Sequence, residues 1–365
     1  MASISTKLEF PPGFKQENRW LRWCPTSPEL LAEAEAKIFQ RIESDYKTSF
    51  VKIDDDCHIR TLITEPSDPS NIQNTPIVMI HGFLGGIGIL IKNINALSKT
   101  RRVFVFDLMG FGRSSRVPVP GNAMEVEESY VLSIEKWRQK VGLDKFVLLG
   151  HSLGGFMSTA YALRHPDQVK HLILVDPWGY GIKPDDDRVV WTRNGENVYA
   201  SSVPMKYRMF LYFGTRVNAL SVLRILGPLG PAAFRKWRPD LEVQFADLIG
   251  PGVMYNYLYH CNMQQPTGEE AFRTLQGATA WASNPMLKRV GSLPDYVPIT
   301  LIYGARTWVD STQGFEIKEQ RPNSYCDLQM IEGGGHHVYF DHPKEFNNSV
   351  ENICCTIDAE VGTFL

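Results

Sequence analysis

One short stretch near the middle of the chain, Phe146–Phe156, constrains the fold more than any other. An apolar run, Phe146–Leu149, is followed directly by Gly150-His-Ser152-Leu-Gly154 and then by a helical pattern. Strand, tight turn and helix form the context in which G-x-S-x-G marks a nucleophilic serine. A serine at so sharp a turn adopts a strained backbone, and the residues two before and two after it should lack bulk. The stretch therefore predicts that Ser152 is a nucleophile at the carboxyl end of a strand.

Apolar runs alternate with helical patterns on both sides of this stretch. Such runs include Pro76–Ile80 and His171–Asp176, and the alternation predicts a mostly parallel, doubly wound α/β sheet. The alternation stops after residue 177 and resumes near Pro298, so we predict an inserted helical cap. The chain then divides into an N-terminal segment, 1–50, a first core part, 51–177, a cap, 178–293, and a second core part, 294–365.

A nucleophilic serine needs a histidine base and a carboxylate that orients it, and both should follow the serine at the ends of later strands. Three glycines precede His336 after the last predicted strand, and this loop favours His336 as the base, with His337 as the alternative. The loop after Pro298–Tyr303 offers Asp310 as the acid. Two earlier strand ends keep rival acids open: Asp176, and Asp107, which is more often structural.

The tetrahedral intermediate of acyl transfer needs backbone N–H donors aimed at its oxyanion. One donor should be the N–H of Leu153, at the start of the helix after Ser152. The other should come from the loop His81-Gly-Phe83, with Phe83 as the candidate and Leu84 as its neighbour.

Composition excludes some classes of protein. The 365 residues carry a net charge of -2, which does not suit a general nucleic-acid binder. The six cysteines are scattered and show no metal-binding spacing, as expected in a reducing compartment, so we expect no metal and no cofactor. We see no apolar signal sequence and no apolar run long enough to span a membrane. We therefore expect a cytoplasmic protein whose contact with membranes is peripheral.

The N-terminal segment contains two tryptophans, Trp20 and Trp23, close to arginines. Indole rings favour the headgroup level of a bilayer, so these residues are candidates for contact with a lipid surface. The alternative is that they pack against the main body of the protein.

Several further motifs resemble those of a known family: Trp23-Cys-Pro-Thr-Ser27, Asp107 to Ser115, Tyr259-His-Cys-Asn262, Pro285-Met-Leu287, Gly304-Ala-Arg-Thr-Trp308 and His336-His-Val-Tyr-Phe-Asp341. Over nearly its whole length the chain resembles a lipid-handling family of α/β hydrolases. That family includes the lysophospholipase acting on N-acyl phosphatidylethanolamines, and the co-activator of adipose triglyceride lipase, also described as a lysophosphatidic acid acyltransferase. The resemblance implies an α/β-hydrolase fold and a serine acyl hydrolase or acyltransferase of (N-acyl or lyso) phospholipids or related acylglycerols. An unrelated capped hydrolase, such as a carbon–carbon bond hydrolase, is the more distant alternative.

The resemblance also implies specific roles within the two branches of that family. The co-activator branch carries asparagine in place of the nucleophile, so Ser152 favours the hydrolase branch. Arg306 and Gly335 instead resemble the co-activator branch and imply a surface that activates a triglyceride lipase partner. His336 and Asp341 match an H-x4-D pattern associated with acyltransfer, although Asp341 could simply cap the next helix. The family implies peripheral association with lipid droplets or intracellular membranes, including mitochondria.

Overall fold

The computed structural model describes residues 8–14, 23–186, 189–193, 195–202, 220–276 and 281–362. Its strands, numbered in chain order, are β1 Tyr46–Asp54, β2 Cys57–Thr64, β3 Ile77–Ile80, β4 Val103–Phe106, β5 Phe146–His151, β6 Val169–Val175, β7 Val189–Arg193, β8 Glu196–Tyr199, β9 Ile299–Gly304 and β10 Cys326–Ile331.

Eight of the strands form one sheet in the order β1-β2-β4-β3-β5-β6-β9-β10. The pairs β1–β2 and β2–β4 are antiparallel, and the other neighbours are parallel. The prediction of a mostly parallel, doubly wound α/β sheet is confirmed. All the parallel strands point their carboxyl ends to the same edge, where such a sheet places its functional loops.

The central strands are buried on both faces, which is why they read as continuous apolar runs. Alternate residues of β3 enter different clusters: Val78 and Ile80 pack into one, and Ile77 and Met79 into the other. This follows from the two-residue period of a strand.

The helices cover these two faces and fill the connections between strands. In chain order they are α1 Pro28–Phe39, α2 Ile91–Leu97, α3 Ala123–Lys140, α4 Leu153–Arg164, α5 Ser221–Ile225, α6 Gly230–Trp237, α7 Asp240–Ile249, α8 Val253–Asn262, α9 Thr267–Leu275, α10 Gln313–Gln320, α11 Val338–Asp341 and α12 Pro343–Gly362. Within the described ranges, no helix is long and apolar enough to cross a membrane.

The insertion between β6 and β9 holds helices α5–α9 together with a two-stranded antiparallel hairpin, β7–β8. The pattern of residues 178–293 predicted helices and irregular chain but not this hairpin. Its turn at Gly195 takes a positive φ of 76° and approaches the loop after β9, where Gly195 N–H donates to Asp310.

The first helix belongs to the packed body rather than to a detached arm. Ser27 caps its N-terminus by accepting a hydrogen bond from Leu30 N–H, and Leu31 and Ile38 are buried in one of the two core clusters. The residue before Ser27 contacts the insertion, because Thr26 Oγ1 lies 3.0 Å from His260 Nδ1 of α8.

Candidate active site

Ser152 lies at the tip of the turn between β5 and α4, with φ 53° and ψ -115°. A Cβ atom on Gly150 would lie 2.3 Å from Gly154 O, and one on Gly154 would lie 2.3 Å from Ile80 O. A larger residue at either position would force the strand and the helix apart. The two glycines therefore allow the turn that presents Ser152 at the sheet edge.

The strained backbone at Ser152 has a measurable cost. We expect Ser152→Gly to unfold with a free energy about 1 kcal/mol higher than Ser152→Ala, because a side chain at this φ costs about 1–3 kcal/mol and the extra chain entropy of glycine offsets part of the relief. Urea unfolding of the two variants, which both lack the hydroxyl, isolates the backbone effect. A glycine variant less stable than the alanine variant would contradict this prediction.

His336 lies in the loop between β10 and α11 and contacts both proposed partners. Its Nε2 lies 3.1 Å from Ser152 Oγ, and its Nδ1 lies 2.8 Å from Asp176 Oδ2. Because a carboxylate oxygen accepts, Nδ1 carries the proton and Nε2 presents its lone pair to the serine hydroxyl. His337 does not reach Ser152 in this arrangement; its ring stacks on Phe340 with centroids 4.8 Å apart.

The structure pairs His336 with Asp176, and the prediction that Asp310 supplies the acid is wrong in this respect. Strands β6 and β9 are parallel neighbours, so both candidates follow strands that end at the same edge. Asp176 comes directly after β6 with φ 45°, and its carboxylate accepts hydrogen bonds from Thr307 Oγ1 and Gly304 N–H. These donors belong to the β9 loop that was expected to contribute the acid itself.

Asp310 has other partners, one in the turn of the β7–β8 hairpin and one in its own loop. Its Oδ1 accepts from Gly195 N–H at 3.2 Å, Thr312 N–H at 3.1 Å and Thr312 Oγ1–H at 2.7 Å. The third candidate, Asp107, is fully buried and accepts from Ile87 N–H and Arg113 N–H. Asp107 therefore ties loops together and does not meet His336.

Burial controls the protonation of the histidine. It lowers the pKa of His336 to about 3, with the nearby Arg238 charge acting in the same direction. Burial also raises the pKa of Asp176, against the hydrogen bonds from Thr307 and Gly304. A neutral imidazole is the form that can accept the serine proton.

The lowered histidine pKa predicts the acid limb of the activity profile. The base works only when neutral, so a pKa below the ordinary value moves the loss of activity to lower pH. The usual pKa of histidine is about 6.5. We expect kcat/KM for a soluble uncharged ester to stay unchanged as the pH falls through that pKa, and to decline only at a clearly lower pH. Circular dichroism at each pH separates titration from acid unfolding. An acid limb centred at or above that value would contradict the prediction.

Two histidines that the sequence did not single out support this arrangement. His151 Nε2 donates to His336 O at 2.9 Å, which fixes the backbone of the base. His81 Nδ1 donates to Gly82 O, and its Nε2 accepts from Leu108 N–H. The sequence offered one signal for His151, because it occupies the variable position directly before Ser152 in G-x-S-x-G.

The two predicted oxyanion donors flank the serine. Leu153 is the first residue of α4, and such an N–H has no acceptor within its helix. The loop with Phe83 passes close to the nucleophile, because a Cβ on Gly82 would lie 3.1 Å from Ser152 Cβ. Leu84, the neighbour of Phe83, has a positive φ of 65°. The roles of Phe83 and Leu153 remain predictions.

Asp341 of the H-x4-D pattern lies near His336 without bonding to its ring. Its Oδ2 accepts from Gly335 N–H at 3.1 Å, so it braces the glycine loop and does not cap α12, the following helix. Arg306 is exposed, and its Nε donates to Gly333 O at 2.9 Å. Arg306 and Gly335 therefore lie in two adjacent loops, and the co-activation role stays a prediction.

Of the two N-terminal tryptophans, Trp20 lies outside the described residues. Trp23 is 67% exposed and donates from Nε1 to Ile225 O at 2.9 Å. Its ring covers Gly227, where a Cβ would lie 2.4 Å from Trp23 Cε2. Trp23 therefore contacts the insertion through one edge of its indole, while most of the side chain is exposed.

Comparison with known proteins gives close matches over most of the chain. The family model of the alpha/beta hydrolase fold matches residues 75–343. The (lyso)-N-acylphosphatidylethanolamine lipase of Mus musculus is 41% identical over 91% of this chain and 94% of its own. The 1-acylglycerol-3-phosphate O-acyltransferase ABHD5 of Homo sapiens is 42% identical over 91% of this chain and 92% of its own.

Solved structures share the fold at much lower sequence identity. A membrane phospholipase A described as a bacterial virulence factor has a TM-score of 0.63 at 20% identity, covering 90% of this chain and 92% of that one. Carboxylesterase CesB from Bacillus subtilis has a TM-score of 0.61 at 16% identity, covering 90% and 98%.

Proposed function

Since this chain belongs to the alpha/beta hydrolase fold family, we propose that it is a serine acyl hydrolase or acyltransferase acting on (N-acyl or lyso) phospholipids or related acylglycerols. The observation that carries the proposal is the pair of contacts made by His336, 3.1 Å to Ser152 Oγ and 2.8 Å to Asp176 Oδ2. Such an arrangement activates a serine hydroxyl as a nucleophile.

In the first half of the reaction, Ser152 Oγ attacks the ester carbonyl carbon while its proton passes to His336 Nε2. The resulting imidazolium is stabilised by the Asp176 carboxylate at Nδ1. The N–H groups of Leu153 and Phe83 are the proposed donors to the oxyanion. As the carbon–oxygen bond breaks, the leaving alcohol takes the proton from Nε2 and an acyl-serine remains.

The second half decides between hydrolysis and transfer. His336 Nε2 takes a proton from an incoming water or alcohol, whose oxygen attacks the acyl-serine and releases Ser152. Water yields a fatty acid, whereas the hydroxyl of a lysophospholipid yields a new ester. The proposed route uses Ser152, His336 and Asp176, while Asp341 Oδ2 accepts from Gly335 N–H.

The lipid substrate class is supported by the relatives. One is named for hydrolysis of (lyso)-N-acylphosphatidylethanolamine, and another for acyl transfer to 1-acylglycerol 3-phosphate. The nucleophile position is serine here, which provides the covalent route proposed above for both products.

The test is a substrate profile of the wild type and of Ser152→Ala. Lysophospholipids, N-acyl phospholipids and acylglycerols are offered singly, and acyl esters are offered together with lysophosphatidic acid. Mass spectrometry then quantifies released fatty acid and newly formed phosphatidic acid. Wild-type protein is expected to give one or both products and the variant neither. Folded wild-type protein that yields no product from any of these lipids would overturn the proposal.

We further propose that the protein reaches its substrate at a lipid surface, such as a lipid droplet or an intracellular membrane. The contact would be made through an exposed apolar patch that includes Trp23. The patch is defined by Trp23, Val222, Ile225 and Leu229, which are 57–70% exposed. An exposed apolar patch of this kind marks an interaction site. Helix α6, just after it in the chain, carries Arg235 and Lys236, which suit anionic headgroups.

Flotation with vesicles containing phosphatidylserine tests this patch. Ile225→Glu places a charge in it and is expected to reduce the bound fraction, while Val243→Glu, an exposed apolar residue of α7 outside the defined patch, is the matched control. Equal binding by wild type and Ile225→Glu would contradict the proposed surface.

A second candidate function, co-activation of a triglyceride lipase, is supported by the position of Arg306. Its exposed guanidinium is held by Gly333 O, beside Gly335. The discriminating assay mixes this protein, as Ser152→Ala, with a triglyceride lipase and measures fatty acid release. An increase that Arg306→Ala abolishes supports co-activation, and no increase refutes it.

A further inference from the structure

The motif Tyr259-His-Cys-Asn262 closes helix α8 of the insertion and meets the loop that is proposed to hold the oxyanion. Asn262 is buried, and its Nδ2 donates to Leu84 O at 2.9 Å and to Leu258 O at 2.7 Å. The second bond stays within α8, whereas the first crosses from the insertion to the loop after β3. The side-chain amide of Asn262 therefore ties the insertion to that loop.

The loop that receives this bond is a tight turn with a strained residue. Gly85 N–H donates to Gly82 O at 3.1 Å, which closes a four-residue turn over residues 82–85, named here the oxyanion loop. Of its two central residues, only Leu84 has a positive φ, 65°. A positive φ at the third residue alone is the pattern of a type II turn, and glycine or asparagine normally occupies that position. A leucine there carries backbone strain that other contacts must offset.

The conformation of this turn controls where the loop donates hydrogen bonds. Turns of types I and II differ by a rotation of the peptide between their two central residues, here Phe83 and Leu84. If Leu84 relaxed to a negative φ, this peptide would turn over and the backbone of Phe83, the proposed donor, would shift with it. Because Asn262 holds Leu84 O, the peptide after Leu84 is fixed and its left-handed conformation is retained.

The end of α8 is itself fixed by two arginines. Arg224 Nη2 of α5 donates to Asn262 O at 2.7 Å and pairs with Glu269 of α9 at 2.7 Å. Arg116 Nη2, from the loop after β4, donates to Cys261 O at 2.9 Å. The last carbonyls of a helix have no donor within the helix, so these two cations satisfy them and hold Asn262 in place.

Helix α8 makes a second contact just after the oxyanion loop. Tyr257 is fully buried, and its hydroxyl accepts a hydrogen bond from Gly88 N–H at 3.1 Å. A Cβ atom on Gly86 would lie 2.4 Å from the same hydroxyl oxygen. The helix and the segment after β3 are therefore closely packed on both sides of the contact at Leu84.

We propose that Asn262 is a positioning residue that holds the oxyanion loop in its donor conformation. It keeps Leu84 left-handed, so that the N–H of Phe83 stays aimed at the oxyanion formed at Ser152. A purely structural role for Asn262, as the last residue of α8, is the alternative. The proposal rests on the serine hydrolase function above and adds to it a residue outside the triad.

Kinetics of the full-length protein with a soluble uncharged ester tests this role. We expect Asn262→Ala to lower kcat about 100-fold and to change KM less than about threefold, because the oxyanion loop acts on the transition state. An alkyl trifluoromethyl ketone provides a second measurement. Its carbonyl carbon bonds to Ser152 Oγ, its oxygen becomes the oxyanion, and the serine proton passes to His336. This inhibitor should bind more weakly by the same factor as kcat falls.

Gln264→Ala is the matched control, because Gln264 lies shortly after α8 and also carries a side-chain amide. Its Nε2 donates to Thr26 Oγ1 and His260 O, and neither acceptor belongs to the oxyanion loop. This variant should retain kcat within about threefold of the wild type. Thermal unfolding verifies that each variant is folded. Asn262→Asp, which keeps the size of the side chain and lacks the Nδ2 donor, replaces Asn262→Ala if the alanine variant unfolds.

Rescue at Leu84 is a readout that a purely structural role would not move. Glycine adopts a positive φ without strain, so adding Leu84→Gly to Asn262→Ala should raise kcat at least about fivefold over Asn262→Ala alone. Wild-type kcat in Asn262→Ala, an equal loss in Gln264→Ala, or no recovery in the double variant would each overturn the proposal. Turnover by the wild type in these cases leaves the hydrolase function standing. Folded wild-type protein that neither turns over the ester nor binds the ketone refutes the hydrolase function, and this role with it.

Discussion

Asp176→Asn is expected to lower kcat/KM about 10⁴-fold for every ester substrate, as the corresponding change does where a carboxylate orients a catalytic histidine. Asparagine would keep the shape of the side chain but could present its amide group to Nδ1 and favour the wrong tautomer of His336. The hydrogen bonds from Thr307 and Gly304 to the carboxylate would also be weakened or lost. The loss should appear in kcat measured with a soluble uncharged ester.

Asp310→Asn is the informative comparison because it removes the same charge from the neighbouring loop. With that small ester it should cost far less than Asp176→Asn, since Asp310 bonds to Gly195 and Thr312 and not to the base. The opposite order of effects would restore Asp310 as the acid and contradict the geometry at His336.

Ser152→Ala is expected to abolish labelling by a fluorophosphonate probe and to lower kcat about 10⁶-fold, the scale on which loss of a catalytic serine has been measured. The physical reason is the loss of the only group proposed to form the acyl intermediate. Gel fluorescence after probe treatment measures the first effect, and ester turnover the second.

Ser158→Ala on the same helix provides the control for labelling. Ser158 is buried, and its hydroxyl lies outside the triad. This variant should still be labelled and should still turn over the ester. Labelling that persists in Ser152→Ala would show that another residue is the nucleophile.

Much of the fold was predictable because its central strands, such as β3, β5 and β9, are buried on both faces. Four-to-six-residue apolar runs separated by helical patterns read unambiguously as a parallel sheet. The turn at Ser152 was equally clear, since Gly150 and Gly154 have a steric function that follows from the close approach of strand and helix. His336 was predicted as the base for a similar reason, because the glycines before it indicate a tight loop.

The acid was not predictable for a reason of topology. β6 and β9 are hydrogen-bonded neighbours, with Val175 opposite Ile302, so both loops end beside the histidine. Order along the chain cannot decide which carboxylate turns inwards. That choice depends on Asp176 adopting a positive φ and on Thr307 donating to it, and neither feature has a sequence signal of its own.

The hairpin β7–β8 escaped prediction because its strands are short and only partly buried, so they lack a strong period-two pattern. Its position beside the loop after β9 depends on how the insertion folds back towards that loop. The hydrogen bond from Gly195 N–H to Asp310 Oδ1 joins the hairpin to that loop. A long-range contact of this kind cannot be read from local spacing.

The positive φ at Ser152 has a consequence for substitutions at this position. Its ψ of -115° lies outside the left-handed helical region, so any residue with a Cβ atom carries a similar backbone strain here. Replacing serine by asparagine would remove the nucleophile without adding a new kind of strain, and the turn itself would stay in place. A larger residue at Gly150 or Gly154 would instead force the strand and the helix apart.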